Sequence, residues 1–316
     1  MPDRGVGIFT HIVVPVDGSP EANVAVTQAV LLAGLTGATI TLVHAVASSQ
    51  AIGEGTALVA AIALRHSASD VRIDAIARDG DAASVILEEV RSRGADLVVM
   101  RTRGRAGLSR AVLGSVAERM VKHSPVPVWL LPPGVRAASA LGVILVPVDS
   151  SPGGALALGI ARQLTTRSAA GARLRLLQVV VPIPLYLGRD VTLHTPIYID
   201  PSWDELAQEA ARGYVTSLAS RLRANGVQAD GDIVVDGAVP EAIVNAAALY
   251  SADLIVMSSE AHTGVTRALL GSVTDAVVRS AACPILVIRR TAEADATPRA
   301  DEALTAAAAP PASAGT

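Results

Sequence analysis

The chain has 316 residues, of which 51% are hydrophobic and 17% are charged, and its formal net charge is −3. This length predicts about two domains, and the abundance of Ala and Val is typical of parallel strands buried between helices. The small net charge gives no reason to expect a nucleic-acid or membrane surface, no apolar run reaches the roughly 18–20 residues of a membrane span, and a single cysteine excludes an internal disulfide.

The first half alternates short apolar runs with amphipathic segments. It opens with a buried strand at Ile12–Val16, which ends in the turn sequence Asp17-Gly18-Ser19-Pro20 and leads into a helix at Glu21–Leu35. The predicted elements that follow are a strand at Thr39–Val46, a helix at Ala57–His66, an edge strand at Arg72–Arg78, a helix at Asp81–Ser92, a strand at Asp96–Met100, a helix at Val116–Lys122 and a strand at Val126–Leu131. This alternation predicts right-handed crossovers and a parallel sheet covered on both faces.

The second half repeats the first. Val143–Pro152 matches the opening strand and turn at an offset of 132 residues, and the offset is 157 at Asp253, the counterpart of Asp96. Nine of 25 positions are identical between residues 107–131 and 264–288. An internal repeat of this length predicts two copies of one α/β unit.

The repeat also predicts the domain boundaries. We place the first domain at residues 1–135, a linker at 136–140 and the second domain at 141–290. The change in offset predicts an insertion in the second copy near residues 181–203, which we interpret as a long loop, with a lid or an interface as the alternative. Residues 291–316 are rich in Ala, Pro, Ser and acidic residues, and this composition predicts a disordered tail.

Three paired blocks of sequence carry a resemblance to a known family. They are VVPVDGSP with LVPVDSSP, ADLVVM with ADLIVM, and GLSRAVLGSVAERMVKHSPVPVWLL with GVTRALLGSVTDAVVRSAACPILVI. On these blocks the chain resembles a tandem universal stress protein over residues 8–132 and 141–290. The resemblance implies two doubly wound α/β domains, each a five-stranded parallel sheet flanked by helices of the adenine nucleotide alpha hydrolase-like kind, paired through their last strands.

ATP-binding members of that family carry Gly-x-x-Gly, nine residues, and then Gly-Ser or Gly-Thr, which implies ATP with Mg²⁺ as the ligand of matching positions. In the first domain the pattern falls on Arg101-Thr102-Arg103-Gly104 and on Gly114-Ser115, which Val116 follows. Arg101 replaces the first glycine, and its guanidinium either clashes with the nucleotide or grips a phosphate. Four arginines lie within ten residues of this loop, so we expect any anion site to be in the first domain.

The second domain departs further from the family pattern. There the pattern falls on Ser258-Ser259-Glu260-Ala261 and on Gly271-Ser272, so both leading glycines are missing. A Cβ atom at a position that needs a left-handed backbone or close ligand approach costs about 1 kcal/mol or more. Ala261 and Glu260 therefore argue against ATP in the second domain.

The family also implies residues at the adenine and ribose end of the site. It places an aspartate after the first strand, which implies Val16 and Asp17 in the first domain and Asp149 in the second. Ala45 and its counterpart Val179 match a backbone position that lines the base. The alternative for both aspartates is a turn or cap residue before the following helix.

The Gly-Ser pair has an alternative interpretation as well. Ser115 with Glu118, and Ser272 with Asp275, fit the pattern of a helix capping box or a close variant of it. In that interpretation the serines start a helix and contact no phosphate.

We expect neither a catalytic nor a metal site. The six histidines are scattered without metal-ligand spacing, and neither a GxSxG elbow nor a Walker lysine occurs. We interpret His44 as a core residue that makes one hydrogen bond and Cys283 as an inert thiol. The arginine cluster lies on an acidic protein with few aromatic residues, so nucleic-acid binding is the weaker interpretation.

These observations predict a cytoplasmic stress-response protein that binds an adenine nucleotide, more readily in its first domain, and that is at most a slow ATPase. We expect the two domains to pair within the chain, a homodimer as the assembly, and no membrane partner. The alternative is a nucleotide-free dimerising scaffold or protein-interaction module whose ATP loops have degenerated.

Overall fold

The computed structural model describes residues 8–66, 70–103, 113–137, 140–149, 151–168, 171–182, 186–187, 197–198, 202–259 and 271–289. The tail predicted at residues 291–316 lies outside this part of the chain, as does most of the segment predicted as an insertion.

The first domain alternates strands and helices as predicted. Its elements are β1 (His11–Pro15), α1 (Pro20–Thr36), β2 (Thr39–Val46), α2 (Ile52–Arg65), β3 (Ile73–Asp79), α3 (Ala82–Ser92), β4 (Leu97–Arg101), α4 (Ser115–His123) and β5 (Val128–Leu131).

One boundary in this domain was wrong. Helix α2 begins at Ile52, five residues before the predicted start, because Gly53 and Gly55 weaken the helical signal of its first turn. Packing decides the outcome here: a Cβ atom on Gly55 would lie 2.8 Å from Cγ1 of Val46, so the glycine lets the helix approach strand β2 closely.

The second domain has the same order of elements with one addition. Its elements are β6 (Val143–Pro147), α5 (Pro152–Arg167), β7 (Arg173–Val180), the short strands β8 (Tyr186–Leu187) and β9 (Ile197–Tyr198), α6 (Ser202–Ala224), β10 (Ala229–Val235), α7 (Val239–Leu249), β11 (Leu254–Ser259), α8 (Ser272–Ser280) and β12 (Ile285–Arg289). Helix α6 has 23 residues whereas its counterpart α2 has 14, so the extra sequence contributes helix as well as the β8–β9 pair.

The two domains share one ten-stranded sheet in the order β10-β7-β6-β11-β12-β5-β4-β1-β2-β3. Within each domain the neighbouring strands are parallel, whereas β12 and β5 pair antiparallel through Ile285 with Leu130, Leu286 with Trp129 and Val287 with Val128. The predicted pairing through the last strands is therefore confirmed, and β3 is confirmed as an edge strand.

Two apolar layers cover this sheet, and each runs through both domains. Helices α1, α2, α5 and α6 pack on one face, and α3, α4, α7 and α8 pack on the other. The central strands read as continuous apolar runs because both of their faces are buried, and Trp129 at the domain junction is fully enclosed. The carboxyl ends of the strands within each domain lie at one edge of the sheet, where parallel sheets of this kind place their ligands.

Candidate functional site

A cleft of about 160 Å³ opens at the carboxyl ends of β1, β2 and β4 in the first domain. Six of the predicted site residues line it: Val16, Asp17, Ala45, Arg101, Arg103 and Val116. Thr102, Gly114 and Ser115 lie beside the cleft without lining it, and Gly104 lies outside the described residues. Residues separated by up to 100 positions in sequence are thus brought to one place by the parallel sheet.

Asp17 has the hydrogen bonding of a turn residue. Its Oδ1 accepts the backbone N–H of Ser19 at 2.9 Å, and the Ser19 hydroxyl oxygen in turn accepts the N–H of Ala22 at 3.2 Å as the N-cap of α1. Because Asp17 also lines the cleft, the turn interaction and a ligand contact are compatible.

His44 also lines this cleft, at the end of β2. Its Nδ1 lies 2.7 Å from the carbonyl oxygen of Val16, and since a carbonyl only accepts, Nδ1 carries the proton. The predicted hydrogen bond is present, but His44 is only partly buried and lines the cleft, so its interpretation as a core residue is wrong.

Backbone hydrogen bonds hold the two ends of the β4–α4 loop together. The N–H of Thr102 donates to the carbonyl of Leu131 at 3.1 Å, and the N–H of Gly114 donates to the carbonyl of Thr102 at 2.8 Å. A Cβ atom on Gly114 would lie 3.1 Å from that same Thr102 oxygen. Glycine therefore allows the backbone to approach closely here, and a larger residue would need the loop to shift.

The start of α4 differs from the predicted capping box. Its N-cap is Gly114, which has no side chain to cap the helix, and Ser115 is already the first helical residue. Glu118 accepts a hydrogen bond from Lys122 at 2.6 Å and does not reach back to the helix start. The capping-box interpretation is therefore wrong for α4, and it is wrong for α8, where Gly271 holds the same position and Asp275 pairs with Arg279.

The first turn of α4 consequently presents backbone donors that no N-cap side chain satisfies. The first intrahelical bond of α4 is donated by Glu118 to the carbonyl of Gly114 at 2.8 Å, so the preceding backbone N–H groups have no helical acceptor. In contrast, Ser19 caps α1 and the Asp81 carboxylate caps α3 by accepting the N–H of Ser84 at 3.1 Å. The starts of α1, α3 and α4 all border the cleft, and α4 is the one of these three without a side-chain cap, so its dipole favours an anion there.

Arg101 lies between the cleft and the linker that joins the domains. Its Nη1 donates to the carbonyl oxygen of Val135 at 3.2 Å, and its side chain is partly buried. Burial lowers the pKa of Arg101 and the nearby Glu21 carboxylate acts in the opposite direction, but an arginine so far above neutrality stays charged. Together with Arg103, it gives the cleft two guanidinium groups.

The corresponding cleft of the second domain is larger, at about 350 Å³. All five predicted residues of this domain line it: Asp149, Val179, Ser258, Gly271 and Ser272. The carboxylate of Asp149 accepts the N–H of Ser151 at 3.1 Å, which repeats the turn interaction of Asp17. Among the described residues that line this second cleft there is no lysine, arginine or histidine.

Sequence reasoning missed several residues that shape the first cleft. Val135 holds Arg101 through its backbone carbonyl, and no sequence signal points to that contact because it depends on the path of the linker. Val43, Ile86 and Met100 form apolar walls, and their only signal was the apolar pattern of a buried strand or helix. Across the described part of the chain, no cluster of three or more His, Cys, Asp or Glu residues could hold a metal ion.

No helix in the described part of the chain combines the length and hydropathy needed to cross a membrane. A family model described as the universal stress protein family matches residues 9–132 and 141–289.

Individual relatives agree with this match. A universal stress protein of Mycolicibacterium smegmatis is 28% identical over 311 residues, which covers 88% of this chain and 96% of that protein. A universal stress protein of Mycobacterium tuberculosis is 30% identical over 206 residues, and this match spans 63% of each chain. This chain therefore spans less than two thirds of the length of that relative.

Solved structures show the same fold over nearly the whole chain. The crystal structure of a universal stress protein from Archaeoglobus fulgidus superposes with a TM-score of 0.68 at 19% identity and covers 92% of this chain and 100% of that one. A second structure, from Pseudomonas aeruginosa, has a TM-score of 0.66 at 18% identity and covers 89% and 93% of the two chains. At these identities the likeness concerns the fold alone.

Proposed function

This chain belongs to the universal stress protein family, and from that premise we propose that it binds an adenine nucleotide in the cleft of its first domain. In this proposal the protein acts as a nucleotide sensor or binding module in a stress response and not as a fast enzyme. Residence in the cytoplasm and assembly as a homodimer belong to the same proposal and rest on family membership.

The observation that carries the proposal is the meeting of Arg101 and Arg103 with the uncapped start of α4 in one cleft. Guanidinium groups and free backbone N–H groups are the two kinds of donor that proteins use most for phosphate. In our proposal, the phosphates contact Arg101, Arg103 and the Ser115 end of the helix. Thr102 and Gly114 hold the loop in place through their backbone bond.

The other end of the cleft suits a base and a ribose. Val16 and Asp17 follow β1, Ala45 lies near the end of the adjacent strand β2, and Ile86 and Met100 add apolar walls to the cleft. An apolar slot with one convergent carboxylate is typical of sites that bury an aromatic base and orient a hydroxyl group.

Rapid hydrolysis is not part of this proposal. The titratable groups that line the cleft among the described residues are Asp17, His44 and the two arginines. Asp17 already accepts a backbone N–H, and the Nδ1 proton of His44 is directed to the Val16 carbonyl. With its proton on Nδ1, His44 keeps an unprotonated Nε2 as a candidate general base, so the proposal allows slow hydrolysis but does not depend on it.

A second candidate function is a dimerising scaffold that binds no nucleotide. The observation that favours it is the size of the first cleft, since about 160 Å³ is below the roughly 300–1,000 Å³ usual for ligand pockets. A nucleotide would need the arginine side chains to shift, or would extend beyond the cleft.

Equilibrium titration of the purified full chain with adenine nucleotides separates the two candidates. Nucleotide binding predicts saturation at or below millimolar concentration and a ligand-dependent rise in the thermal unfolding midpoint. If no saturable binding occurs up to millimolar nucleotide, the scaffold function stands in its place.

A further inference from the structure

The residues of the first cleft do not fit the Mg²⁺ ion that the resemblance implies together with ATP. Mg²⁺ beside a nucleotide is usually held by one or two carboxylates and by the phosphates, and it keeps several of its waters. Asp17 is the only described carboxylate that lines this cleft, and one of its oxygens is occupied by the Ser19 N–H. The other charged side chains of the lining are Arg101 and Arg103.

We infer that this cleft binds its nucleotide with the phosphate free of metal, and that Arg101 and Arg103 supply the positive charge that Mg²⁺ would otherwise supply. This inference rests on the proposed function and names the form of the ligand that the site selects. The ligand class is a nucleotide whose phosphate oxygens are available to guanidinium groups.

Charge supports this selection. Two guanidinium groups at the phosphate end of a partly buried cleft attract an uncomplexed phosphate strongly, whereas they repel a divalent cation carried by the same phosphate. Mg²⁺ would also occupy phosphate oxygens that a planar guanidinium binds in pairs. The guanidinium groups and Mg²⁺ therefore compete for the same phosphate oxygens.

The geometry of Arg101 also supports the binding of metal-free phosphate. Arg101 donates one hydrogen bond, from Nη1 to the Val135 carbonyl, and in the described part of the chain it makes no other. That bond restrains the guanidinium, so less side-chain entropy is lost when Arg101 contacts a ligand.

The second domain offers a natural comparison for this inference. Ser258 stands where the first domain has Arg101, and the described lining of that cleft carries no cation. The arginines therefore belong to one copy of the repeat and are not required by the fold.

The test is calorimetric titration of the full chain with AMP, ADP and ATP, each in excess EDTA and in excess Mg²⁺. We expect affinity in EDTA to equal or exceed that in Mg²⁺, by up to about tenfold for ATP because its metal complex must dissociate or rearrange. Affinity at least tenfold weaker in EDTA than in Mg²⁺ would overturn the inference and leave nucleotide binding intact. Absence of saturable binding in both buffers would overturn both.

Two variants locate the effect in the arginines. Arg101→Met and Arg103→Met keep an unbranched side chain as far as the position of Nε and remove the charged end of the guanidinium, and each should weaken binding in EDTA by about tenfold, the usual effect of losing a charge-assisted hydrogen bond. Arg72→Met, which removes an exposed arginine just before the edge strand β3, is the charge-matched control and should leave affinity unchanged. Unchanged affinity in both cleft variants, with unfolding midpoints equal to that of the control, would also overturn the inference.

Discussion

The two clefts of this chain come from the same repeat, yet they differ in the property that decides ligand chemistry. Both lie at the carboxyl ends of equivalent strands, both have an aspartate engaged with the N–H two residues on, and both border a helix whose N-cap is glycine. The first is smaller and carries two guanidinium groups, whereas the second is larger and has no cation in its described lining. The fold therefore determines where a ligand can bind, and a few loop side chains determine whether an anion is attracted there.

Replacing the N-cap glycine should give the largest difference between the two domains. Gly114→Val places a branched side chain against the Thr102 carbonyl, because even a Cβ atom would lie 3.1 Å from that oxygen. The loop must then move away from the cleft, and we expect nucleotide affinity to fall by tenfold or more in equilibrium titration.

Gly271→Val is the matched control for that experiment. Valine is a poor N-cap in either helix, so each variant should lose about 1 kcal/mol of stability at the cap, and Gly114→Val should lose more because of its contact with the Thr102 carbonyl. Only the change in the first domain should weaken binding. Equal losses of affinity in the two variants would mean that the binding site has been assigned to the wrong domain.

The first domain also has an ion cluster around Glu89, and we expect its removal to have an effect of intermediate size. Glu89 on α3 is almost fully enclosed and accepts hydrogen bonds from Arg93 at 2.7 Å and from Arg78 at 2.9 Å. Its counterpart in the second domain is Ala246. Glu89→Gln should lower the free energy of unfolding by about 1–3 kcal/mol, as expected for hydrogen bonds to a charged group, whereas the exposed Glu88→Gln should have little effect.

The pH dependence of that loss follows from the pKa of Glu89. Burial acts to raise this pKa, but the hydrogen bonds from Arg93 and Arg78 outweigh burial and hold the pKa below its ordinary value of 4.5. The stabilisation is therefore complete above the ordinary pKa and is lost as the pH falls through the lowered one. Denaturant unfolding at a series of pH values should show the difference between wild type and Glu89→Gln shrinking in acid, and a difference independent of pH would refute this assignment.

A further difference between the domains concerns Cys283, which replaces Val126 of the first domain. Burial, with the neighbouring Asp253 carboxylate, raises the pKa of the Cys283 thiol to about 11. Because the thiolate is the reactive form, alkylation near neutral pH should be about a hundredfold slower in the folded protein than in the unfolded chain. Rapid labelling of the folded protein would contradict this prediction. It would show that the chain around Cys283 opens in solution, or that the thiol is more exposed than in this structure.

Sequence reasoning predicted most of the fold for two reasons. Each element of the unit occurs in both copies of the repeat, and buried parallel strands give long apolar runs. It failed where packing overrides local propensity, as at the glycine-containing start of α2. The capping boxes failed for a different reason, since serine and an acidic residue at the right spacing do not reveal that glycine is the N-cap.

The location of the candidate site was also accessible from sequence, but its organisation was not. The pattern of glycine, arginine and serine identified the residues around the first cleft. The contact between Arg101 and Val135 depends on how the linker leaves β5, and no local signal encodes that path. The difference in volume between the clefts likewise arises from side chains that many elements contribute.

The stoichiometry of nucleotide binding tests the central claim most directly. Calorimetric titration of the full chain should give one nucleotide per chain, and the combined Arg101→Met and Arg103→Met variant should remove that binding while the chain remains folded. Two equivalent sites per chain, or a single site that persists in this variant, would contradict the account that the arginines make the first cleft the binding site.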